Sequence, residues 1–366
     1  MGGGRRQSGR AGCSARRPGV RECPAGGWEE KPVEPPSART SDDVPQTYRS
    51  RRTEEERSMT STPGTDPATT AAHELGIGTV GIWSGALRVS DGTGRDGAIT
   101  DAVEEIEALG YGAIWVGGSA SVADAEAVLA ATHHLRVATG ILSIWDHPAE
   151  RVAEQASDAN RAHDDRFILG IGASHQQLAP EEYAKPYTAM REYLTALDEA
   201  PHPVPARQRV LAALGPKMLQ LSKDRAAGAH PYLVTEDYVA EAREALGTGP
   251  LLAPELKVVL DDNLPRARET ARAYLRFYLE LPNYTNNLRR AGFGPADFEN
   301  GGSDALLDAV VAYGDADHIR TRVTAFHKAG ADHVALQVVT PNPMQDLPIA
   351  EWRALAAALE LPGATG

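Results

Sequence analysis

The chain has 366 residues with 37 Lys and Arg against 50 Asp and Glu, a formal net charge of −13. Residues 1–58 hold 12 of the basic and 9 of the acidic residues, so the remaining body carries 25 and 41 and is strongly acidic. An acidic body argues against a nucleic-acid-binding protein, which needs clustered positive charge. The length allows one large domain or two ordinary ones.

The N-terminal stretch is dense in Gly, Arg, Pro and Ser and shows no apolar periodicity. Such a composition buries too little surface to offset its ordering entropy, so we predict a disordered tail over 1–70 and a folded domain over 71–366. Cys13 and Cys23 both fall in the tail, which leaves the domain without thiols for a disulfide or a metal. No apolar stretch suits a secretory signal or a membrane span, so we expect a cytoplasmic protein.

From Gly76 onward, short β-rich runs alternate with helical patterns. Helical stripes such as Ile99, Val103, Ile106 and Leu109 recur at spacings of three and four. The predicted strands lie, in chain order, at 77–83, 111–118, 135–145 and 166–174, twice within 209–235, and at 251–260 and 331–339. Eight strands alternating with helices predict a (β/α)8 TIM barrel.

A doubly wound open sheet is the alternative fold. Against it, "GIGASH" at 170–175 has only two glycines of the dinucleotide-binding pattern, with His175 in place of the third. The segment 281–302 is too long for a tight turn, and we expect it to be an insertion near one rim of the barrel.

Candidate site residues follow from the rule that barrel enzymes place their active site at the C-terminal strand ends. Gly215 and Pro216 end the fifth strand and open a helix, with Lys217 directly behind them. Glycine permits close approach of a ligand to the backbone. Proline at a helix start lacks the N–H group that would be unpaired there, and the free N–H groups that follow favour an anion. These residues predict a phosphate site; an ordinary strand-to-helix turn is the alternative.

Two other strand ends carry candidates. After the third strand, Gly140 permits a bulge, and Ile141 would then present an apolar side chain to a flat ligand. The alternative is that both residues pack the barrel core. After the fourth strand come Ser174 and His175. Histidine handles protons near neutral pH, so His175 is the candidate catalytic residue, and a surface histidine is the alternative.

Other chemistries lack a pattern, and the insertion offers one more. No H-E-x-x-H spacing indicates a metal site, and no G-x-S-x-G turn indicates a hydrolase. The inserted segment carries several amides together with Arg289 and Arg290. Amides can hydrogen-bond a substrate, and arginines suit carboxylates. The alternative is that the same residues form a polar surface loop.

An ordered set of motifs resembles the luciferase-like monooxygenase superfamily, and more closely its branch that uses the deazaflavin coenzyme F420. The motifs are "GYGAIWVGG", "VATGILSIW", "RFILGIGASH", "ALGPKMLQLSKDRAAGAHPYLV" and "GDADHIRTRVTAFHKAGADHVALQVV", and the resemblance covers about residues 76–360. It implies a barrel with an insertion and a cofactor across the C-terminal mouth.

The resemblance also implies roles for the strand-end residues. A non-prolyl cis peptide at Gly140–Ile141 would back the middle ring of the cofactor, with Ser143 close by. The cofactor phosphate would fall on Gly215, Pro216 and the start of their helix, where Lys217 adds charge. Ser174 and His175 would contact the ring edge.

One departure from the family pattern matters for chemistry. Some F420-dependent relatives carry an acidic residue and a histidine after the second strand, where this chain has Gly117, Gly118 and Ser119. The alcohol and sugar-phosphate substrates of those relatives therefore do not carry over, and His175 is the replacement candidate for proton transfer.

Several functions stay open at this point. The first is an F420-dependent oxidoreductase that passes hydride to or from a small organic molecule. An FMN-dependent monooxygenase on the same fold and a non-catalytic flavin or deazaflavin carrier are the alternatives. A sugar-phosphate barrel enzyme would need a lysine or carboxylate pair on the barrel strands, which we do not identify. Because family members often pair through barrel helices, the resemblance also suggests a homodimer.

Overall fold

The computed structural model describes residues 70–89, 96–175 and 185–364. The predicted tail over 1–70, except for its last residue, lies outside this description, as do Cys13 and Cys23. The boundary between tail and domain therefore stays a prediction.

The described chain alternates strands and helices throughout. The strands are β1 (Val80–Ser84), β2 (Ala113–Val116), β3 (Arg136–Thr139), β4 (Leu142–Ser143), β5 (Phe167–Gly172), β6 (Arg209–Leu211), β7 (Gly228–Ala229), β8 (Leu251–Leu252), β9 (Glu255–Leu260), β10 (Val311–Gly314) and β11 (Val334–Val338). The α-helices are α1 (Thr70–Leu75), α2 (Asp96–Ala108), α3 (Val122–Ala130), α4 (Ala149–Ala162), α5 (Pro186–Glu199), α6 (Pro216–Arg225), α7 (Glu236–Leu246), α8 (Leu264–Tyr278), α9 (Pro282–Arg290), α10 (Asp304–Val310), α11 (Ala316–Lys328) and α12 (Ile349–Ala358).

The strands form a parallel barrel. Pairing runs from β9 through β11, β1, β2, β3, β5, β6 and β7 to β8. Only Ala253 and Pro254 separate β8 from β9, so this one segment joins β7 on one side to β11 on the other and closes the ring. Each predicted strand overlaps an observed one, and the predicted (β/α)8 barrel is confirmed.

Two strands depart from the simple eightfold pattern. The third predicted strand is interrupted at Gly140 and Ile141, so that β3 and β4 are separate pieces, both paired with β5. Strand β10 pairs with the outer edge of β9 and was not predicted. Its four residues are too few to show a period of two.

The helices pack their apolar stripes onto the barrel. Ile99, Val103 and Ile106 of α2 are buried, as their spacing predicted. At the start of α7, the Thr235 side chain accepts a hydrogen bond from the amide of Tyr238 at 3.1 Å, which satisfies a free N–H of the first turn.

The expected insertion lies at the C-terminal rim and is helical. Pro282 occupies the first turn of α9, where proline is tolerated. Tyr284 and Leu288 are buried one turn apart in an apolar cluster shared with α8 and α10. Burial of this stripe explains why the segment forms a helix and not an open loop.

Candidate active site

A cavity of about 1120 Å³ opens at the C-terminal ends of the barrel strands. Its floor is formed by Trp83 of β1 and by residues that follow β2, β3, β5, β6 and β7, and its walls include residues of α8 and α9. This is the position at which TIM barrels carry their active sites.

Five of the residues predicted from sequence come together in this cavity. Its lining includes Gly140, Ile141, Ser174, His175 and Gly215. They lie on three different strand ends, so the fold brings together what the sequence separates by up to 75 positions.

The other three predicted residues lie outside the lining. Ser143 is buried, and its hydroxyl accepts a hydrogen bond from the amide of Trp145 at 3.4 Å. Pro216 and Lys217 are exposed on the first turn of α6. Cofactor contact by these three stays a prediction.

The floor beneath the cavity centre is fixed by tight packing around Gly140. The peptide bond between Gly140 and Ile141 is cis, as expected at this position. The carbonyl oxygen of Gly140 accepts a hydrogen bond from Trp83 Nε1 at 2.9 Å. A Cβ at position 140 would lie 2.9 Å from that same nitrogen and 3.1 Å from Trp115 Cβ, so the position requires glycine.

One end of the cavity is the turn from β6 into α6. A Cβ on Gly215 would meet no atom within 4 Å, so open space lies in front of this residue. Arg290 of α9 also lines the cavity and donates hydrogen bonds to the Leu214 carbonyl oxygen at 3.4 Å and to Asn287 Oδ1 at 2.8 Å. The insertion therefore places an arginine where the sequence had suggested Lys217.

His175 lies at the cavity wall beside the insertion. Its Nδ1 is 3.2 Å from Asn283 Nδ2, and its ring centroid is 4.9 Å from that of Tyr284. Burial lowers the pKa of His175 to about 4. The ring is therefore neutral near pH 7; because the amide nitrogen donates to Nδ1, the ring proton lies on Nε2.

A cluster of tyrosine hydroxyls forms a second polar feature of the cavity. Tyr232, Tyr274 and Tyr278 line it, with hydroxyl oxygens 2.7 Å (232 to 274), 2.9 Å (274 to 278) and 3.2 Å (232 to 278) apart. Gln337 of β11 contacts two of them, its Oε1 at 2.8 Å from the Tyr232 oxygen and its Nε2 at 2.6 Å from that of Tyr274. None of these tyrosines was among the site residues selected from the sequence.

Beneath the tyrosines lies a buried ion pair on β9. Lys257 Nζ is 2.8 Å from Glu255 Oε2 and 3.6 Å from the centroid of the Tyr232 ring. Burial raises the pKa of Glu255 and lowers that of Lys257, while their mutual attraction opposes both shifts. From the sequence we identified no lysine or carboxylate pair on the barrel strands, and we therefore missed Lys257, which lies on β9 paired with Glu255. Charges two positions apart in a strand share one face, and this spacing was the missed signal.

Two histidines buried in the barrel interior flank Trp115. Trp115 Nε1 donates to His333 Nε2 at 3.0 Å, and His333 Nδ1 lies 2.9 Å from the Gly78 carbonyl oxygen. The ring of His230 stacks on Trp115 at 4.2 Å. Burial lowers the pKa of His230 to about 4 and that of His333 to about 3, so both rings are neutral near pH 7.

Among the described residues, no group of three His, Cys, Asp or Glu side chains is arranged to hold a metal ion. In the same part of the chain, no helix is long and apolar enough to cross a membrane.

Solved structures with the same fold include enzymes that use different cofactors. An F420-dependent secondary alcohol dehydrogenase in complex with an F420-acetone adduct is 15% identical, with 77% of this chain and 99% of that chain covered and a TM-score of 0.58. The coenzyme F420 dependent tetrahydromethanopterin reductase from Methanopyrus kandleri is 14% identical, with coverages of 78% and 97% and a TM-score of 0.56.

A third solved structure contains FMN. The oxygenating constituent of 3,6-diketocamphane monooxygenase from Pseudomonas putida, a type II Baeyer–Villiger monooxygenase, is 14% identical, with coverages of 79% and 98% and a TM-score of 0.55. At these identities the similarities concern the fold alone. No curated protein matches the sequence closely enough to count as a relative.

The family of this chain is shown by its sequence. Residues 84–333, more than half of the chain, match the luciferase-like monooxygenase profile. This range runs from the end of β1 to the residue before β11 and includes His175, Gly215 and Arg290. The chain belongs to the luciferase-like monooxygenase family.

Proposed function

We propose that this protein is an F420-dependent oxidoreductase that transfers hydride between coenzyme F420 and a small organic substrate in the cavity at the barrel mouth. The observation that carries the proposal is a single cavity lined by the apolar side chain of Ile141, by Gly215 at the start of α6 and by Arg290. Its volume of about 1120 Å³ is slightly above the range of about 300–1,000 Å³ for small-molecule pockets, which suits a tricyclic ring together with a substrate.

The anionic stem of the cofactor fits the turn into α6. The N-terminus of this ten-residue helix carries partial positive charge, and the open space at Gly215 lets a phosphate approach the backbone. Arg290 adds a full positive charge to the same end of the cavity and can form charge-assisted hydrogen bonds. Amides at a helix start and an arginine are hydrogen-bond donors suited to a phosphate.

The flat ring fits the floor at Ile141. This side chain is half-buried, and its Cδ1 lies over Gly172, where a Cβ would approach it to 2.7 Å. Close packing beneath Ile141 makes the floor a fixed apolar surface. When bound, F420 supplies or accepts a hydride at one ring carbon, and the protein mainly orients the substrate over that carbon.

His175 is the proposed proton-handling residue. It is neutral near pH 7 and lies on the cavity wall, so its ring can hold or accept a proton from a bound molecule. We expect His175→Ala to reduce the rate of hydride exchange by about a hundredfold or more, while the affinity for F420 changes little. Equal losses of rate and cofactor affinity would instead assign His175 to cofactor binding.

Reconstitution tests the cofactor, and the preference for F420 over FMN rests on the ordered motifs. The purified full-length chain is titrated with F420 and, separately, with FMN, and binding is followed by cofactor fluorescence. The proposal predicts tighter binding of F420. Preferential binding of FMN, with NADH-driven oxygen uptake, would identify an FMN-dependent monooxygenase. Tight binding without turnover on a substrate panel, and no effect of His175→Ala, would identify a carrier.

A further inference from the structure

The proton arrangement of the tyrosine cluster distinguishes one hydroxyl from the others. Each phenol has a single proton to donate. The Tyr232 oxygen lies 2.8 Å from Gln337 Oε1, an acceptor, so the proton of Tyr232 is directed at the amide. The 2.7 Å contact between Tyr232 and Tyr274 then requires Tyr274 as the donor. With that proton used, the 2.9 Å contact between Tyr274 and Tyr278 requires Tyr278 as the donor. Tyr232 has no second proton for the longer 3.2 Å contact with the Tyr278 oxygen.

Tyr278 is therefore the terminal donor of a chain of hydrogen bonds in which Tyr278 donates to Tyr274, Tyr274 donates to Tyr232, and Tyr232 donates to Gln337. Exchanging the oxygen and nitrogen of the Gln337 amide reverses the hydrogen bonds among Tyr232, Tyr274 and Gln337. Tyr274 then donates to Gln337, and Tyr232 donates to Tyr274. Tyr278 remains the terminal donor in either case. Its proton can turn toward a bound acceptor while the other hydroxyls keep their partners.

The surroundings hold the cluster in place and keep it protonated. Lys257 lies 3.6 Å from the Tyr232 ring centroid, held there by its ion pair with Glu255. Burial raises the pKa of Tyr232, Tyr274 and Tyr278, so all three are neutral phenols near pH 7. The cluster is thus a fixed set of neutral hydrogen-bond donors at the cavity wall.

The cavity wall next to Tyr278 is apolar. Phe277, whose ring centroid lies 5.5 Å from that of Tyr278, lines the cavity and is 49% exposed. Leu281, three residues beyond Tyr278, adds a second apolar side chain to the lining. A ligand on this wall would bury apolar surface and meet one available hydroxyl proton.

We propose that the Tyr278 hydroxyl binds the carbonyl oxygen of an otherwise apolar substrate, with Tyr274, Tyr232 and Gln337 positioning it. The inference deepens the proposed function, because it names the substrate class and the residue that orients it. It concerns binding to the cofactor-free protein and can therefore be tested separately from F420 binding.

The test uses 4-dimethylaminocinnamaldehyde, an apolar aldehyde whose visible absorption moves to longer wavelength when its carbonyl oxygen accepts a hydrogen bond. The full-length, cofactor-free chain is titrated with this probe, and both the spectrum and the affinity are recorded. Tyr278→Phe removes the terminal donor. Tyr274→Phe removes a hydroxyl one helical turn away and leaves the Tyr278 proton in place. Tyr193→Phe, whose hydroxyl bonds to the His147 carbonyl oxygen at 2.9 Å, is the control outside the cluster.

We expect the wild type and Tyr193→Phe to bind the probe with the full long-wavelength shift. Tyr274→Phe keeps the donor but loses one positioning hydroxyl, so it should retain the shift with weaker binding. Tyr278→Phe should lose the shift and bind about three- to tenfold more weakly. Circular dichroism checks folding, and Tyr278→Leu replaces the phenylalanine variant if that variant does not fold. A shift that persists without the Tyr278 hydroxyl, a loss confined to Tyr274→Phe, or no binding to the wild type would overturn the proposal. F420 titration of the same samples shows whether cofactor binding is retained.

Discussion

Arg290 donates a hydrogen bond to the carbonyl oxygen of Leu214 at 3.4 Å, and this contact joins the inserted helix α9 to the turn between β6 and α6. The insertion thereby completes one end of the cavity that the barrel alone leaves open. An arginine beside a helix N-terminus is suited to a phosphate, since both offer hydrogen-bond donors and positive charge.

Replacing Arg290 tests this end of the cavity. We expect Arg290→Gln to weaken F420 binding by about tenfold or more and to reduce the salt dependence of binding, because a charge-assisted contact is lost. Isothermal titration at two salt concentrations measures both effects. Arg289→Gln is the matched control, because Arg289 bonds to Asn286 and packs over Phe298. Equal losses in both variants would show a general charge effect and contradict a specific role for Arg290.

The open space at Gly215 yields a second prediction. Its φ of −91° and ψ of 156° are accessible to any residue, and a Cβ there would meet no atom within 4 Å. Gly215→Val should therefore leave the thermal midpoint within about 2 °C of the wild type. The same side chain would occupy the space proposed for the phosphate, so F420 affinity should fall at least tenfold. Unchanged affinity in a folded variant would move the anion site elsewhere.

Gly140 should respond in the opposite way. Its added Cβ would lie 2.9 Å from Trp83 Nε1 and 3.1 Å from Trp115 Cβ, so two buried rings would have to move. We expect Gly140→Ala to lower the free energy of unfolding by about 1–3 kcal/mol, as measured by urea denaturation. Gly215→Ala serves as the comparison and should change it by no more than about 0.5 kcal/mol. Equal stability of the two variants would show that the floor is loosely packed.

The buried histidines predict loss of stability in acid. The pKa of His230 is about 4 in the fold against 6.5 for the free side chain, so between these values the unfolded state binds more protons. Stability is then complete above about pH 6.5 and falls as the pH decreases toward 4, by about 3 kcal/mol for this residue. Urea denaturation at several pH values measures the slope.

His230→Phe tests the assignment of this slope. It keeps a ring stacked on Trp115 and removes the titrating group, so the loss of stability between pH 6.5 and 4 should be smaller than in the wild type. His202→Phe changes a solvent-exposed ring and is the control. A wild-type slope in the His230 variant would attribute the acid sensitivity to other groups.

Much of the barrel could be predicted from local patterns. Runs such as "LLAPELKVVL" at 251–260 and stripes such as Ile319, Val323 and Phe326 record burial directly, and the structure has a strand segment and a buried helix face there. The short β10 was missed because four residues beside a helix carry too little periodicity. The rule that sites lie at strand ends was enough to select Gly140, Ile141, Ser174, His175 and Gly215.

The rest of the site depends on contacts between distant segments. Tyr274 and Tyr278 are four residues apart on α8, a spacing that fits core packing equally well. Only the fold brings Tyr274 to Gln337 of β11 and both hydroxyls to that of Tyr232. Arg290 reaches Leu214 across 76 positions because α9 folds back over the rim. Lys217 follows the predicted turn directly, yet its side chain is exposed on α6 outside the cavity lining.

The most direct measurement is a crystal structure of the protein grown with F420. The account predicts density for a tricyclic ring packed on Ile141, with the phosphate of its stem at Gly215 within hydrogen-bonding distance of Arg290. Ordered F420 bound at any other place on the barrel, with this cavity filled only by solvent, would contradict it.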